Sequence, residues 1–209
     1  MAPARRFPMA VPDLAAHAYE RARQGGFGLD GPTLSSRPGT GALLAVLAAT
    51  RRSARIAELG TGLGAAAAWI AAGMDADSRL VTVESNVERA QEARSLLSSD
   101  PRIEVLAGRW EELVPPRGPF DLVFVDSGFS RRLHEAQAAA FLLDIVVPGG
   151  ILVMDDLTPE SESHQSGSDP KREFALANPR VIGAELYPPG PDGTLGGVQS
   201  GLLVMTKLA

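Results

Sequence analysis

The chain has 209 residues, no cysteine and a net charge of −5, a length suited to one large domain. Without cysteine there is no disulfide framework, no thiolate metal site and no cysteine nucleophile, a composition that suits the cytoplasm. Scattered charges and a pI of about 5.3 argue against nucleic acid as a partner, and no apolar run approaches the roughly 18 residues of a membrane span.

In chain order, the start is broken by Pro3, Pro8 and Pro12 and holds no apolar core of signal-peptide length. Pro12–Gln24 and Gly39–Thr50 read as two helices around the loop Gly25–Pro38. Five apolar runs follow: Arg55–Gly60, Leu80–Ser85, Arg102–Gly108, Phe120–Asp126 and Gly150–Asp155. Several are apolar almost throughout, as strands covered on both faces of a parallel sheet are. Between them lie candidate helices at Gly64–Met74, Asn86–Ser98 and Arg131–Val146. Asn86 suits an N-cap, with Glu88 in the first turn where the helix dipole favours an acid. Pro148-Gly149-Gly150 is expected to stop the third of these helices before the fifth strand. Leu157–Asp169 is polar and breaker-rich, Lys171–Asn178 is a short helix, and Val181–Tyr187 and Leu202–Lys207 read as two last strands. Strand and helix alternate, which predicts stacked βαβ units in a doubly wound α/β fold.

The first strand runs into Glu58-Leu59-Gly60-Thr61-Gly62-Leu63-Gly64, and a helix follows directly. Glycines there permit a tight bend and let a ligand approach the backbone. The second strand ends in Glu84, twenty residues beyond Gly64. In a doubly wound sheet that carboxylate arrives beside the bend, where it can accept both hydroxyls of a ribose. The competing reading makes the glycines an ordinary turn and Glu84 a helix cap. A nicotinamide site is a further alternative, because Gly60-x-Gly62-x-x-Ala65 satisfies the dinucleotide pattern. Against it stand Glu58 before the first glycine and some fifty residues of helical preamble.

Asp126 ends the fourth strand and Asp155-Asp156 the fifth, so a doubly wound sheet brings three carboxylates to one edge. Such a group repels itself unless a cation neutralises it or one member is protonated. A divalent ion such as Mg²⁺ is one answer; helix or turn capping by each Asp is the other.

The runs ELGTGLG, VTVESN, AGRWEEL, FDLVFVDS and PGGILVMDDL together resemble the class I S-adenosylmethionine-dependent methyltransferases. More narrowly the chain is similar to bacterial O-methyltransferases related to the catechol and caffeoyl-CoA enzymes, from about Leu34 to the C-terminus. The resemblance implies a seven-stranded, mostly parallel sheet of order 3-2-1-4-5-7-6 with N-terminal helices. It implies one methyltransferase domain over 1–209, with 1–52 a helical cap and 53–209 the cofactor-binding core. It implies S-adenosylmethionine as cofactor, a small-molecule hydroxyl as acceptor and a homodimer. By the family's motifs, Ser36, Glu58, Gly60, Thr61, Gly62, Gly64, Glu84, Ser85, Trp110 and Asp126 would line the cofactor. Asp126, Asp155 and Asp156 would hold a divalent metal, and Asp126 would also be catalytic.

Three departures stand out. Gly108-Arg109-Trp110 replaces the family's Gly-Asp-Ala, Asp156 stands where an amide is usual, and the family lysine after the first Asp falls on Phe129. Arg131 and Arg132 are nearby but stay protonated and make poor bases. The missing lysine motivates an alternative, a cofactor-binding module without catalysis. His17, His134 and His164 read as surface residues, and Trp69 as core packing.

Overall fold

A computed structural model of the protein describes residues 10–25, 36–127, 136–159, 169–188 and 200–209. Two helices come first, α1 (Asp13–Gln24) and α2 (Pro38–Ala49). The alternating core follows: β1 (Arg55–Leu59), α3 (Ala65–Gly73), β2 (Arg79–Glu84), α4 (Val87–Leu97) and β3 (Ile103–Ala107). Then come α5 (Trp110–Leu113), β4 (Phe120–Val125), α6 (Ala136–Asp144), β5 (Val146–Leu157), α7 (Pro170–Ala177), β6 (Val181–Leu186) and β7 (Gly201–Lys207). The strands form one seven-stranded sheet of order β3-β2-β1-β4-β5-β7-β6. All neighbours among β1 to β5 are parallel, and β7 runs antiparallel to both β5 and β6.

Side chains on a strand alternate between faces, and the sheet divides the core accordingly. Ile56, Leu80, Leu122, Phe124 and Val153 bury against α1 to α4. Ala57, Leu59, Val81, Val83, Val123 and Val125 bury on the opposite side with Trp110, Leu142 and Leu143. The same alternation puts Glu58 and its register partner Thr82 on the α3 side, with Glu84 two residues further along β2.

The helical preamble is bound tightly to this face. A Cβ on Gly41 of α2 would overlap the Trp69 ring, and one on Gly73 of α3 would overlap the Ala45 carbonyl. Only glycine lets the two helices approach so closely. Asn86 is the N-cap of α4, its side chain accepting the Arg89 amide at 2.9 Å.

Two expectations need correction. Pro148-Gly149-Gly150 does not separate a helix from the fifth strand: α6 ends at Asp144 and the triplet lies inside β5. Val146 already pairs with Phe120, the register then shifts, and pairing resumes at Ile151 with Leu122. The breakers therefore make a bulge, a use of Pro and Gly open within a strand. The second correction is α5, a four-residue turn of helix at Trp110 that no sequence periodicity announced. Among the described residues, no helix is long and apolar enough to cross a membrane.

Candidate functional site

The bend after β1 holds three left-handed glycines, Gly60, Gly62 and Gly64, with φ of 108°, 54° and 90°. L-residues rarely adopt such angles. Gly60 has a second reason, since a Cβ there would overlap the backbone carbonyl of Asp126 at the end of β4. The sequence reading gave that glycine to a ligand; the neighbouring strand already demands it. Gly60 donates its amide to Val83 at 3.0 Å, and Asp126 donates to Leu59 at 3.0 Å. The ends of β1, β2 and β4 are thereby laced together around the bend.

Glu84 meets the same bend. Its Oε2 accepts the Gly62 amide at 3.0 Å, while Oε1 accepts from the Asn86 amide at 2.9 Å and from Arg89 Nη2 at 2.7 Å. Glu84 therefore braces the start of α4, whose cap is Asn86, and faces the glycines. The carboxylate is buried, and Arg89 gives it an ion partner.

A polar column stands behind the bend. Thr82 donates to Glu58 Oε2 in a short hydrogen bond, and the Thr61 and Thr82 hydroxyls lie 2.5 Å apart. Glu58 is fully buried. Burial first, then the nearby Asp126 and Glu84 carboxylates, push its carboxyl well above the usual range against the bond from Thr82. The Ala67 amide pulls it back a little, yet Oε1 makes no full hydrogen bond. A buried acceptor without a donor costs about 1–3 kcal/mol, which a cationic or N–H-bearing ligand would recover.

Asp126 receives the Ser36 hydroxyl at 3.3 Å. Ser36 is itself fixed through its carbonyl, which accepts the Tyr19 hydroxyl at 2.8 Å, and Tyr19 accepts Trp69 Nε1 at 3.0 Å. Trp69 is thus core packing and a hydrogen-bond donor together. Burial pushes the Tyr19 hydroxyl up to about 12. The chain Trp69–Tyr19–Ser36–Asp126 links α3 and α1 to the end of β4, and Tyr19 was not anticipated.

The remaining acids sit at the end of β5. Asp155 and Asp126 are both half-buried. Burial, then the charge of Asp156, raise Asp126 to about 6, while the Ser36 hydroxyl and Lys171 oppose this. Burial, then Asp126 and Asp156, raise Asp155 to about 8, with the Asp156 amide and Lys171 opposing. One of the strand-end carboxyls therefore keeps its proton near neutrality.

The three acids are oxygen donors of the kind a divalent ion takes, but they are not drawn around one point. Among the described residues no three His, Cys, Asp or Glu side chains gather closely enough to hold one. Asp155 Oδ1 accepts the Asp156 amide at 2.8 Å. Asp156 is exposed with φ of 58°, and its carbonyl accepts the Lys171 ammonium at 2.7 Å. Lys171 was missed by the sequence reading; its only signal was a lysine directly after Asp169-Pro170.

Of the other expected residues, Ser85 is exposed on the surface. Trp110 is buried in the second core, its ring 5.2 Å from that of Phe141. His17 is exposed on α1. Phe129, Arg131, Arg132, His134 and His164 lie outside the described residues.

Residues 57–157 match the family described as a methyltransferase domain, a stretch that contains Glu58, the glycine bend, Glu84 and the strand-end acids. The strand order agrees. The chain is similar to the class I methyltransferases. It is 30% identical over 139 residues to a catechol O-methyltransferase of Mycobacterium tuberculosis, an alignment covering 60% of this chain and 63% of that one. The matches span between 61% and 65% of the curated relatives' own lengths. In fold, this chain resembles the O-methyltransferase TomG from Streptomyces achromogenes, solved in complex with SAM. The TM-score is 0.77 at 24% identity, covering 97% of this chain and 93% of TomG. An O-methyltransferase from Bacillus cereus in complex with SAH gives 0.75 at 23% identity, covering 96% and 93%.

Proposed function

We propose that this protein transfers a methyl group from S-adenosylmethionine to a hydroxyl of a small molecule. The observation that carries the reading is the meeting of the Glu84 carboxylate with the Gly60–Gly64 bend. A nucleoside seated against this contact would find an acid for its ribose hydroxyls and glycine backbone for close approach. The orphaned Glu58 Oε1 supplies a buried acceptor for the ammonium of a methionine moiety. Names of the relatives and of the similar structures support the same chemistry.

S-adenosylmethionine, when bound, supplies an electrophilic methyl group on a sulfonium. The protein's residues do the rest. Glu84, Gly62, Thr61 and Glu58 bind and orient the donor, and most of the catalysis comes from that orientation. Asp126 hydrogen-bonds the acceptor hydroxyl and takes its proton as the new bond to carbon forms. Its raised proton affinity makes it a better base than an ordinary aspartate. Ser36, held by Tyr19, fixes the orientation of that carboxylate.

We read residues 1–209 as one methyltransferase domain working in the cytoplasm as a homodimer, with 1–52 as its helical cap. Calorimetric titration with S-adenosylhomocysteine and with NAD tests the cofactor; binding of NAD alone would overturn the reading. Transfer of labelled methyl to a catechol or a simple phenol tests the enzyme. Binding without transfer to any hydroxyl acceptor would leave a cofactor-binding module instead.

A further inference from the structure

Three neighbouring strands begin on arginine. Arg55 opens β1, Arg79 opens β2, and Arg102 directly precedes β3. They stand at the amino edge of the sheet, roughly 15 Å along the strands from the glycine bend. Arg55 and Arg79 are register partners on adjacent strands, and like charges so close repel. The connection from β3 to β4 holds only α5 and a 3₁₀ turn at Pro115–Arg117. Beside that turn the edge carries a cavity of about 240 Å³, with Val81 and Phe120 in its apolar wall. Among the described residues Arg55, Arg79, Arg102 and Arg117 line it against a single acid, Glu104.

Two of these cations already have anionic partners. Arg102 Nη2 lies 2.6 Å from Asp100 Oδ2, and Arg117 Nη2 lies 3.1 Å from Glu104 Oε1. The other two do not. Arg79 Nη1 donates to the Ala76 and Ser78 carbonyls at 3.0 and 2.7 Å, which positions its head without neutralising it. Arg55 lies over the Phe120 ring, 5.9 Å from the centroid, and Asp121 accepts only its backbone amide, at 2.8 Å. Among the described residues no carboxylate forms an ion pair with either guanidinium. In a chain of net charge −5, two unneutralised cations at one cavity make a local anion trap.

We propose that this cavity binds a small phosphate monoester, with its phosphate facing Arg55 and Arg79. Near neutrality such a phosphate carries about −1.5 to −2 charges, which matches two guanidinia, whereas one carboxylate would match one. Each guanidinium presents a planar fork of donors suited to phosphate oxygens. Volume limits the organic part, because drug-sized sites run to roughly 300–1,000 Å³. Val81 and Phe120 give that part an apolar wall. The cavity lies at the other end of the strands from the glycine bend, and its occupancy does not depend on the methyl-transfer reading.

The experiment is calorimetric titration of phenyl phosphate, inorganic phosphate and benzoate at constant ionic strength. The proteins are the full-length parent, R55Q/R79Q and R52Q, with circular dichroism confirming that each is folded. Phenyl phosphate is expected to fill one site on the parent with a Kd below about 1 mM. R55Q/R79Q is expected to bind it at least about tenfold more weakly, the loss of charge-assisted hydrogen bonds. Arg52 is exposed and outside the cavity, so R52Q should match the parent. Benzoate and inorganic phosphate should both bind the parent more weakly than phenyl phosphate does. Absence of saturable phenyl phosphate binding in that range, or equal binding by R55Q/R79Q, would overturn the proposal. So would an R52Q as weak as the double variant, or benzoate or inorganic phosphate binding as tightly as the ester. If R55Q/R79Q does not fold, amide NMR of the parent decides. Ester-induced shifts centred on residues 55, 79 and 117 support the site, and shifts centred elsewhere refute it.

Discussion

Gly62 and Glu84 are joined by a hydrogen bond of 3.0 Å from the backbone of one to the carboxylate of the other. They are 22 positions apart in the chain; Gly62 lies in the loop after β1 and Glu84 ends the neighbouring parallel strand β2. The contact ties the glycine bend to the end of β2.

Glu84→Ala is accordingly expected to weaken S-adenosylhomocysteine binding by about 10- to 100-fold, the worth of one or two hydrogen bonds to a charged group. Calorimetric titration reads this directly. Affinity equal to the parent's would remove Glu84 from the site.

Gly60→Ala combines a left-handed φ of 108° with a Cβ that overlaps the Asp126 carbonyl. Neither can relax without parting β1 from β4. A loss of about 2–4 kcal/mol of stability is expected in urea unfolding. A loss below about 1 kcal/mol would mean that the bend is looser than described.

Tyr19→Phe removes the bond to the Ser36 carbonyl and leaves Trp69 Nε1 without its acceptor. The expected cost is about 1–3 kcal/mol. Because Ser36 orients Asp126, methyl transfer should fall more than cofactor affinity does. Equal falls in both would place the effect in α1 packing alone.

Asp155 provides the pH dependence. Its carboxyl holds a proton to about pH 8 in the folded chain, against an ordinary value of 3.8, so the folded state binds more protons in between. Stability from this group is complete below about pH 4 and is lost as pH rises through about 8. Asp155→Asn should flatten that decline, and its urea midpoint should exceed the parent's at pH 9. Parallel pH profiles for the two proteins would refute the buried, crowded carboxyl.

Much of the framework could be read before any coordinates. Five apolar runs and two further expected strands became the seven strands, and the central ones, β1, β2 and β4, were plainest because a strand buried on both faces leaves an apolar stretch that little else imitates. Asn86 acted as the cap its side chain suggested. Four-residue α5 was invisible because so short a helix shows no period, and Pro148-Gly149-Gly150 misled because breakers mark both helix ends and bulges. Tyr19, Thr82 and Lys171 went unread for a common reason. Each is an ordinary residue of a helix or strand, and its partner is 17, 24 or 15 positions away.

Local pattern thus established the βαβ rhythm, the glycine bend and the acid that follows it, since hydrophobic period and backbone permissiveness are properties of short stretches. Which charges confront one another was settled only by folding. Parallel register set Thr82 beside Glu58, and the start of α7 carried Lys171 to the end of β5. Electrostatic energy depends on distance through space, and separation along the chain does not reveal it.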